Sequence, residues 1–211
     1  MTAGDPSYWD DFFQQDLLPS VFSHIILTWE QMPKPGPSDL EDAISLKLYS
    51  ALIKGKDRNA HAFSIHYQDV EVDTDLAKET GRKDIVFLPS HQEEIYLCVE
   101  AKRLNALVSG MRRSLAGEYV KDGMQRFVDG KYGRFVRHGA MLAYVLDGDT
   151  DRAMRNVEKN ISKRVVELRM EKNGGFVAST VRPKDPRAKE TRHHRAYEKA
   201  VFRIHHLFVS G

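Results

Sequence analysis

The chain is poor in several features that mark other classes of protein. Its 211 residues include one cysteine, Cys98, so no internal disulfide can form and no cysteine cluster can hold zinc. No apolar run approaches the ~20 residues of a membrane-spanning helix. The first residues lack the basic-then-apolar pattern of a secretion signal, and a reducing cytoplasm is the expected compartment. There is no internal repeat and no low-complexity tract. Basic charge is missing at the start: no Lys or Arg precedes Lys34.

What is present fits one soluble domain with a sizeable core, at 41% hydrophobic and 29% charged residues. The net charge of +2 hides an asymmetry. Residues 1–101 carry 8 Lys and Arg against 18 Asp and Glu, whereas residues 102–211 carry 24 against 12. Either the basic half meets an anionic partner or the two halves neutralise each other in the fold.

The order of elements predicts an α/β fold, a central mixed β-sheet flanked by helices. Residues 1–38 read as a helical segment and linker. Trp9, Phe12, Phe13, Leu17, Leu18, Val21, Ile25 and Trp29 have helical spacing, with a break expected at Pro19. The globular unit is expected over 39–211, with its core at 39–147. Ser38-Asp39-Leu40-Glu41 fits a capping box that opens a helix over 39–54. A strand is expected over 61–72, a helix over 115–129, a buried strand at Ala140–Leu146 and an amphipathic helix over 150–171. A short strand at Phe176–Val181, a basic polar loop at Arg182–Arg195 and a last strand at Ala200–Val209 complete the chain. Gly123 is expected to let its helix pack closely on the sheet.

The most informative stretch is a predicted hairpin, Gly81 to Leu88 and Ile95 to Lys102, with a polar turn between. A turn centred on Gln92 places Asp84 directly across from Glu100, with Lys102 two residues on and on the same face. Two carboxylates and an ammonium then crowd the end of an apolar ribbon. Like charges that close repel unless a proton or cation intervenes, and a divalent metal held by Asp84 and Glu100 resolves the conflict. Two jobs are open to Glu41: closing the capping box, or pointing a carboxylate at the same site. Lys121, Gln125 and Arg126 lie off the apolar stripe of the helix that follows. Asp147-Gly148-Asp149 reads as a turn with a helix N-cap, since the rest of an EF-hand is missing. His205 and His206 point to opposite faces of a strand and cannot chelate one ion.

Asp84 followed by Glu100-Ala101-Lys102 resembles the PD-(D/E)xK signature of the restriction-endonuclease-like nucleases, and residues 39–147 resemble that family's order of core elements. Lys83 stands where the signature has proline. The resemblance implies Mg²⁺-dependent phosphodiester cleavage, with Mn²⁺ as a substitute. Asp84, Glu100 and the carbonyl of Ala101 would be metal ligands, Lys102 the catalytic lysine, and Glu41 and Gln125 further acidic and supporting polar residues. The implied substrate is nucleic acid, DNA first, with RNA or branched junctions as alternatives and a catalytically silent binding or scaffolding subunit as the rival. Arg103, Lys121, Arg126, Arg187, Arg192 and Arg195 are the candidate phosphate contacts. The compact size points to a homodimer or a subunit of a larger complex, and the family's known settings point to prokaryotic antiviral defence.

Overall fold

The computed structural model describes residues 17–57, 61–73, 78–89, 95–134, 136–171, 174–197 and 200–211. Trp9, Phe12, Phe13, most of the hairpin turn and Asn173 lie outside the described residues. The chain forms helix α1 (Leu17–Gln31), helix α2 (Glu41–Lys54), strands β1 (Phe63–Asp73), β2 (Lys78–Pro89) and β3 (Leu97–Leu104), and a small hairpin of β4 (Ala106–Val108) and β5 (Met111–Arg113). Helix α3 (116–128) follows, then β6 (His138–Val145), α4 (Thr150–Ser162), β7 (Val177–Ala178), β8 (Ala188–His194) and β9 (Val201–Ser210). Seven strands form one mixed sheet in the order β1-β2-β3-β6-β9-β8-β7. The run β1-β2-β3 is antiparallel, β3-β6-β9 is parallel, and β9-β8-β7 is antiparallel again.

Helices cover both faces. On one, Leu18, Val21 and Ile25 of α1 and Ile44, Leu48 and Leu52 of α2 pack with Ile85, Phe87, Val99 and Leu142. On the other, Val120, Met124 and Phe127 of α3 and Val157 and Ile161 of α4 pack with Cys98, Met141, Ala143 and Phe208. Strand β6 is buried on both faces, which is why its sequence is a continuous apolar run rather than an alternation. α1 belongs to the same core as the rest of the chain, and Pro19 lies within it without interrupting it. No described helix is long and apolar enough to cross a membrane.

Three local expectations are corrected. The helix expected over 150–171 ends at Ser162: Arg164 N–H turns back to the Ile161 carbonyl at 2.8 Å, and Arg169 takes a positive φ of 47°. The β-branched pair Val165-Val166, with Val166 largely exposed, favours that early stop. The basic loop expected at Arg182–Arg195 contains β8. Its buried side chains include Glu190, Thr191 and His193, so no apolar alternation marks it as a strand. The strand expected at Phe176–Val181 is reduced to Val177–Ala178.

Candidate active site

The site forms where β2 and β3 part. They pair through Ile85–Val99, Val86–Cys98 and Phe87–Leu97 only, a register that sets Asp84 opposite Glu100, as a turn centred on Gln92 requires. Past that point the ladder opens, and the Ala101 N–H donates to Oδ2 of Asp84 at 2.7 Å. The outgoing end of β3 keeps its parallel pairing with β6, with Glu100 beside Met141 and Lys102 beside Ala143.

Lys102 is the hub. Its Nζ lies 2.7 Å from Oε1 of Glu41, 2.8 Å from Oε1 of Glu100 and 2.9 Å from the Ala101 carbonyl. Glu41 arrives as the first residue of α2. The capping box does not form: the N-cap is Leu40, with no side-chain cap. Glu41 instead takes Lys102 on one oxygen and the Arg103 N–H on the other at 3.0 Å. Arg103 completes the clamp, its Nη1 donating to the Asp39 carbonyl at 2.8 Å. Gly123 on α3 lies against this cluster, where an added Cβ would collide with Met141 and lie 3.6 Å from Lys102 Cγ. The expected close approach of that helix is therefore present. Residues Tyr119–Met124 of α3 form a π-helical turn, a feature common at functional sites.

Arg126 comes from the next turn of α3. Its Nη1 lies 3.3 Å from Oε1 of Glu100 and also donates to the Tyr132 hydroxyl. That hydroxyl donates to the Arg82 carbonyl at 2.8 Å. Tyr132 is a site residue that sequence reasoning missed. The available signal was Gly81, whose absent side chain makes room for the Tyr132 ring; a Cβ there would lie 2.5 Å from it.

The electrostatics match this crowding. Burial raises the Asp84 carboxyl to about 6, despite Lys102 and the Ala101 N–H pulling it down. Burial and then the Asp84 charge raise Glu100 to about 7. Burial alone would lower the Lys102 ammonium, but Glu100 and Glu41 outweigh it and hold it above its usual range. Burial and the Glu100 charge push the Tyr132 phenol up to about 12.

Among the described residues, no three His, Cys, Asp or Glu side chains form a cage for a metal by themselves. A cation of the Mg²⁺ type needs less: one or two carboxylates, with water and substrate oxygens completing the shell. Asp84, Glu100 and the Ala101 carbonyl fit that need. Oε2 of Glu100 is buried with no hydrogen-bond partner, and both carboxyls are held in a state that a cation would relieve.

The other expected residues are dispersed. Gln125 is half-buried and turned away, donating to Asp129 at 2.9 Å and to the Glu167 carbonyl at 3.3 Å; Arg126 takes the place expected of it. Lys121 is exposed beside Arg113, Arg164, Glu118 and Asp122. Arg187 is held by Asp185 and Glu30, and Arg192 by Glu190 and Glu171. Arg195 is corrected outright. It is buried, donates to the carbonyls of Gly133, Val136 and Tyr132, and lies over the Phe202 ring. It is a strut and cannot reach a phosphate. Part of the charge asymmetry is likewise used internally, in Glu41–Lys102, Glu100–Arg126 and Glu30–Arg187.

Fold and site together define a mixed α/β protein with a buried acid–lysine cluster where two antiparallel strands diverge. Comparison with protein-family models, with curated proteins and with solved structures finds no match.

Proposed function

We propose that this protein is a divalent-metal-dependent nuclease that hydrolyses phosphodiester bonds, with DNA as the first substrate to test. The observation that carries the reading is the orphaned Oε2 of Glu100, buried next to Asp84 and Lys102 at the parting of β2 and β3. The run of α2, antiparallel β1-β2-β3, α3 and a parallel β6 supports it too, since that order is similar to the core of the restriction-endonuclease-like nucleases.

Asp84, Glu100 and the Ala101 carbonyl would hold the cation. When bound, it supplies positive charge against the phosphate oxygens and acidifies water. Lys102 is protonated at neutral pH because Glu100 and Glu41 favour its ammonium form. In that state it donates hydrogen bonds, orienting the attacking water and countering charge that builds on the phosphate. It is not the base. Arg126, half-exposed beside Glu100, adds a second positive group facing solvent. Water attacks phosphorus, one P–O ester bond breaks, and a phosphate monoester and a free hydroxyl result.

The test is cleavage of supercoiled plasmid with Mg²⁺ against chelator, wild type beside Lys102→Ala, with folding checked by circular dichroism. Nicking or linearisation that needs Mg²⁺ and falls roughly 10²–10³-fold in the variant is expected. Equal cleavage by the two proteins, or none by wild type on DNA, RNA or junctions, overturns the reading. A catalytically silent nucleic-acid-binding module is the second reading. It is favoured by the three oxygens that already occupy the three N–H groups of Lys102. Calorimetric titration separates the two: a silent module takes up no Mg²⁺ through Asp84 and Glu100.

A further inference from the structure

Asp84 has a neighbour on its other side. The flanking pairs Tyr67–Ile85 and Asp69–Lys83 set Gln68 of β1 across from Asp84, yet Gln68 leaves the ladder. Its φ is +50°, a left-handed conformation uncommon for residues other than glycine, asparagine and aspartate and one that clusters at functional sites. The pairing beside the site is thus interrupted at the residue facing Asp84, while β1 itself runs on in the same register through Asp69–Lys83. One strand spacing, about 4.8 Å, separates them.

At this break lies a groove of about 520 Å³, lined by Tyr49 of α2 and by Ile65, Tyr67, Gln68 and Asp69 of β1 among others. The two tyrosine rings stack, centroids 5.3 Å apart at 27°. The Tyr67 hydroxyl donates to the Asp42 carbonyl at 3.3 Å, and Gln68 Nε2 lies 3.3 Å from that hydroxyl. The break therefore brings the Gln68 amide to the tyrosines. Among the described residues that line the groove there is no Lys or Arg, His66 lines it beside Gln68, and the one carboxylate, Asp69, is paired with the buried Lys83 ammonium at 2.9 Å. A phosphate finds no lysine or arginine among these residues, only the imidazole of His66. An uncharged planar ring finds two aromatic side chains and an amide that both donates and accepts, the set that recognises unpaired bases.

We propose that this groove is a base subsite. It takes an unpaired nucleobase of the strand whose backbone crosses Asp84, Glu100 and Lys102, so the protein selects nucleic acid with a locally single-stranded segment. The identity of the neighbouring site rests on the nuclease reading; base binding itself does not require cleavage. A base pair cannot enter, because its hydrogen-bonding edge is occupied and its faces are stacked on its neighbours. The kink in β1 has a rival purpose, since breaking an edge strand also blocks pairing with a second chain.

The experiment uses the full chain in chelator, where no cleavage occurs. Fluorescence anisotropy compares a labelled single-stranded oligothymidine, an abasic oligomer of equal length and a blunt duplex. Wild type is expected to bind the oligothymidine about tenfold more tightly than either, the discrimination that one stacked base supplies. Gln68→Gly relieves the backbone and removes the amide, so its Tm rises while the discrimination shrinks severalfold. Tyr49→Leu loses discrimination, and Tyr49→Phe keeps it. Equal affinity of wild type for the oligothymidine and the abasic oligomer overturns the subsite. So does a Gln68→Gly protein that dimerises with its base preference intact, which assigns the kink to edge protection. Base preference without Mg²⁺-dependent cleavage refutes the nuclease reading alone, whereas cleavage without base preference refutes the subsite alone.

Discussion

Asp84 and Glu100 hold their protons to higher pH in the folded chain than in the unfolded one, to about 6 and about 7. Their contribution to stability is fully present below about pH 4 and is lost as pH rises through those values. Without metal, Glu100→Gln is expected to raise stability at pH 8 by roughly 2–3 kcal/mol, since each tenfold change in a proton's affinity is worth about 1.4 kcal/mol, and to change it little at pH 4. Denaturant melts at the two pH values check this; an equal effect at both would show that the Glu100 charge is already compensated. Four histidines on β6, β8 and β9 have the opposite sign. Burial lowers His193 to about 4 and His138 and His205 to about 3, and holds His206 well below its ordinary value. The neutral state fixes a directional chain. Nδ1 of His193 donates to the Leu168 carbonyl, so the Thr191 hydroxyl donates to its Nε2. Nε2 of His206 then donates to Thr191, and the Tyr119 hydroxyl donates to Nδ1 of His206. The unfolded chain takes up protons at these positions below about pH 6.5 while the folded chain does not, so their stabilisation is lost as pH falls from 6.5 towards 4. Four histidines outweigh two carboxyls there, and acid is expected to destabilise the wild type. The Glu100→Gln variant should show a steeper acid limb, measurable as Tm against pH between 4.5 and 6.5.

Close contacts between helices and sheet decide how the site is held. Gly139 opens β6 under α3, where a Cβ would meet the Phe127 ring at 2.6 Å and Phe202 at 3.1 Å. Both rings are buried and stacked on each other, so neither can move aside cheaply. Gly139→Ala is expected to cost about 1–3 kcal/mol, the usual range for overpacking, although alanine suits a strand interior at least as well as glycine. Thermal melts decide; a stabilised variant would mean that the rings repack freely. Elements were legible in the sequence where one period of apolar residues set them. The β2–β3 register could be read because three charges interrupt two apolar runs, and the same charges marked Asp84, Glu100 and Lys102. Strand β8 could not be read, because Glu190, Thr191 and His193 are buried polar residues satisfied by partners distant in sequence. Glu41 shows a related limit. Its local pattern left a cap and a place at the site both open, and only the fold shows that Lys102 and the Arg103 N–H, some sixty residues on, are its partners. Arg195 and Gln125 fall in the same class, since sequence shows a polar side chain but not whether it faces water or a set of carbonyls.

At the scale of the whole molecule, the first described helix, α1, is tied to β6 and to the end of β9. The linker at 33–37 sets the N-terminal segment apart in sequence, but α1 buries Leu17, Leu18, Val21, Phe22, Ile25, Ile26 and Trp29 in the common core. Fully burying one large apolar side chain is worth about 1.5–3 kcal/mol, and a whole domain is stable by only about 5–15 kcal/mol. Seven such residues are worth about 10–20 kcal/mol, as large as that margin, so a chain lacking residues 1–33 is expected to lose cooperative unfolding altogether. Trp29 allows a finer test. Its ring stacks on Tyr144 of β6 at 5.2 Å and 8°, and its Nε1 donates to the Ser210 carbonyl at the end of β9 at 2.6 Å. Tyr144 in turn shares a hydrogen bond with Ser45 of α2, the helix that carries Glu41. Trp29→Phe keeps an aromatic ring over Tyr144 and drops one hydrogen bond, leaving the Ser210 carbonyl short of a donor, for an expected loss of about 1 kcal/mol. Trp29→Ala also empties the volume and is expected to cost about 3–5 kcal/mol. Among the described residues Trp29 is hydrogen-bonded to Ser210 and stacked on Tyr144 rather than on Glu41, Asp84, Glu100 or Lys102, so if the proposed nuclease reading holds, Mg²⁺-dependent cleavage by the folded Trp29→Phe protein should match wild type per molecule. Urea melts give the two stabilities, and plasmid cleavage at low temperature gives the activity. A Trp29→Phe protein that is stable but inactive would show that α1 sets the position of α2 as well as holding the core.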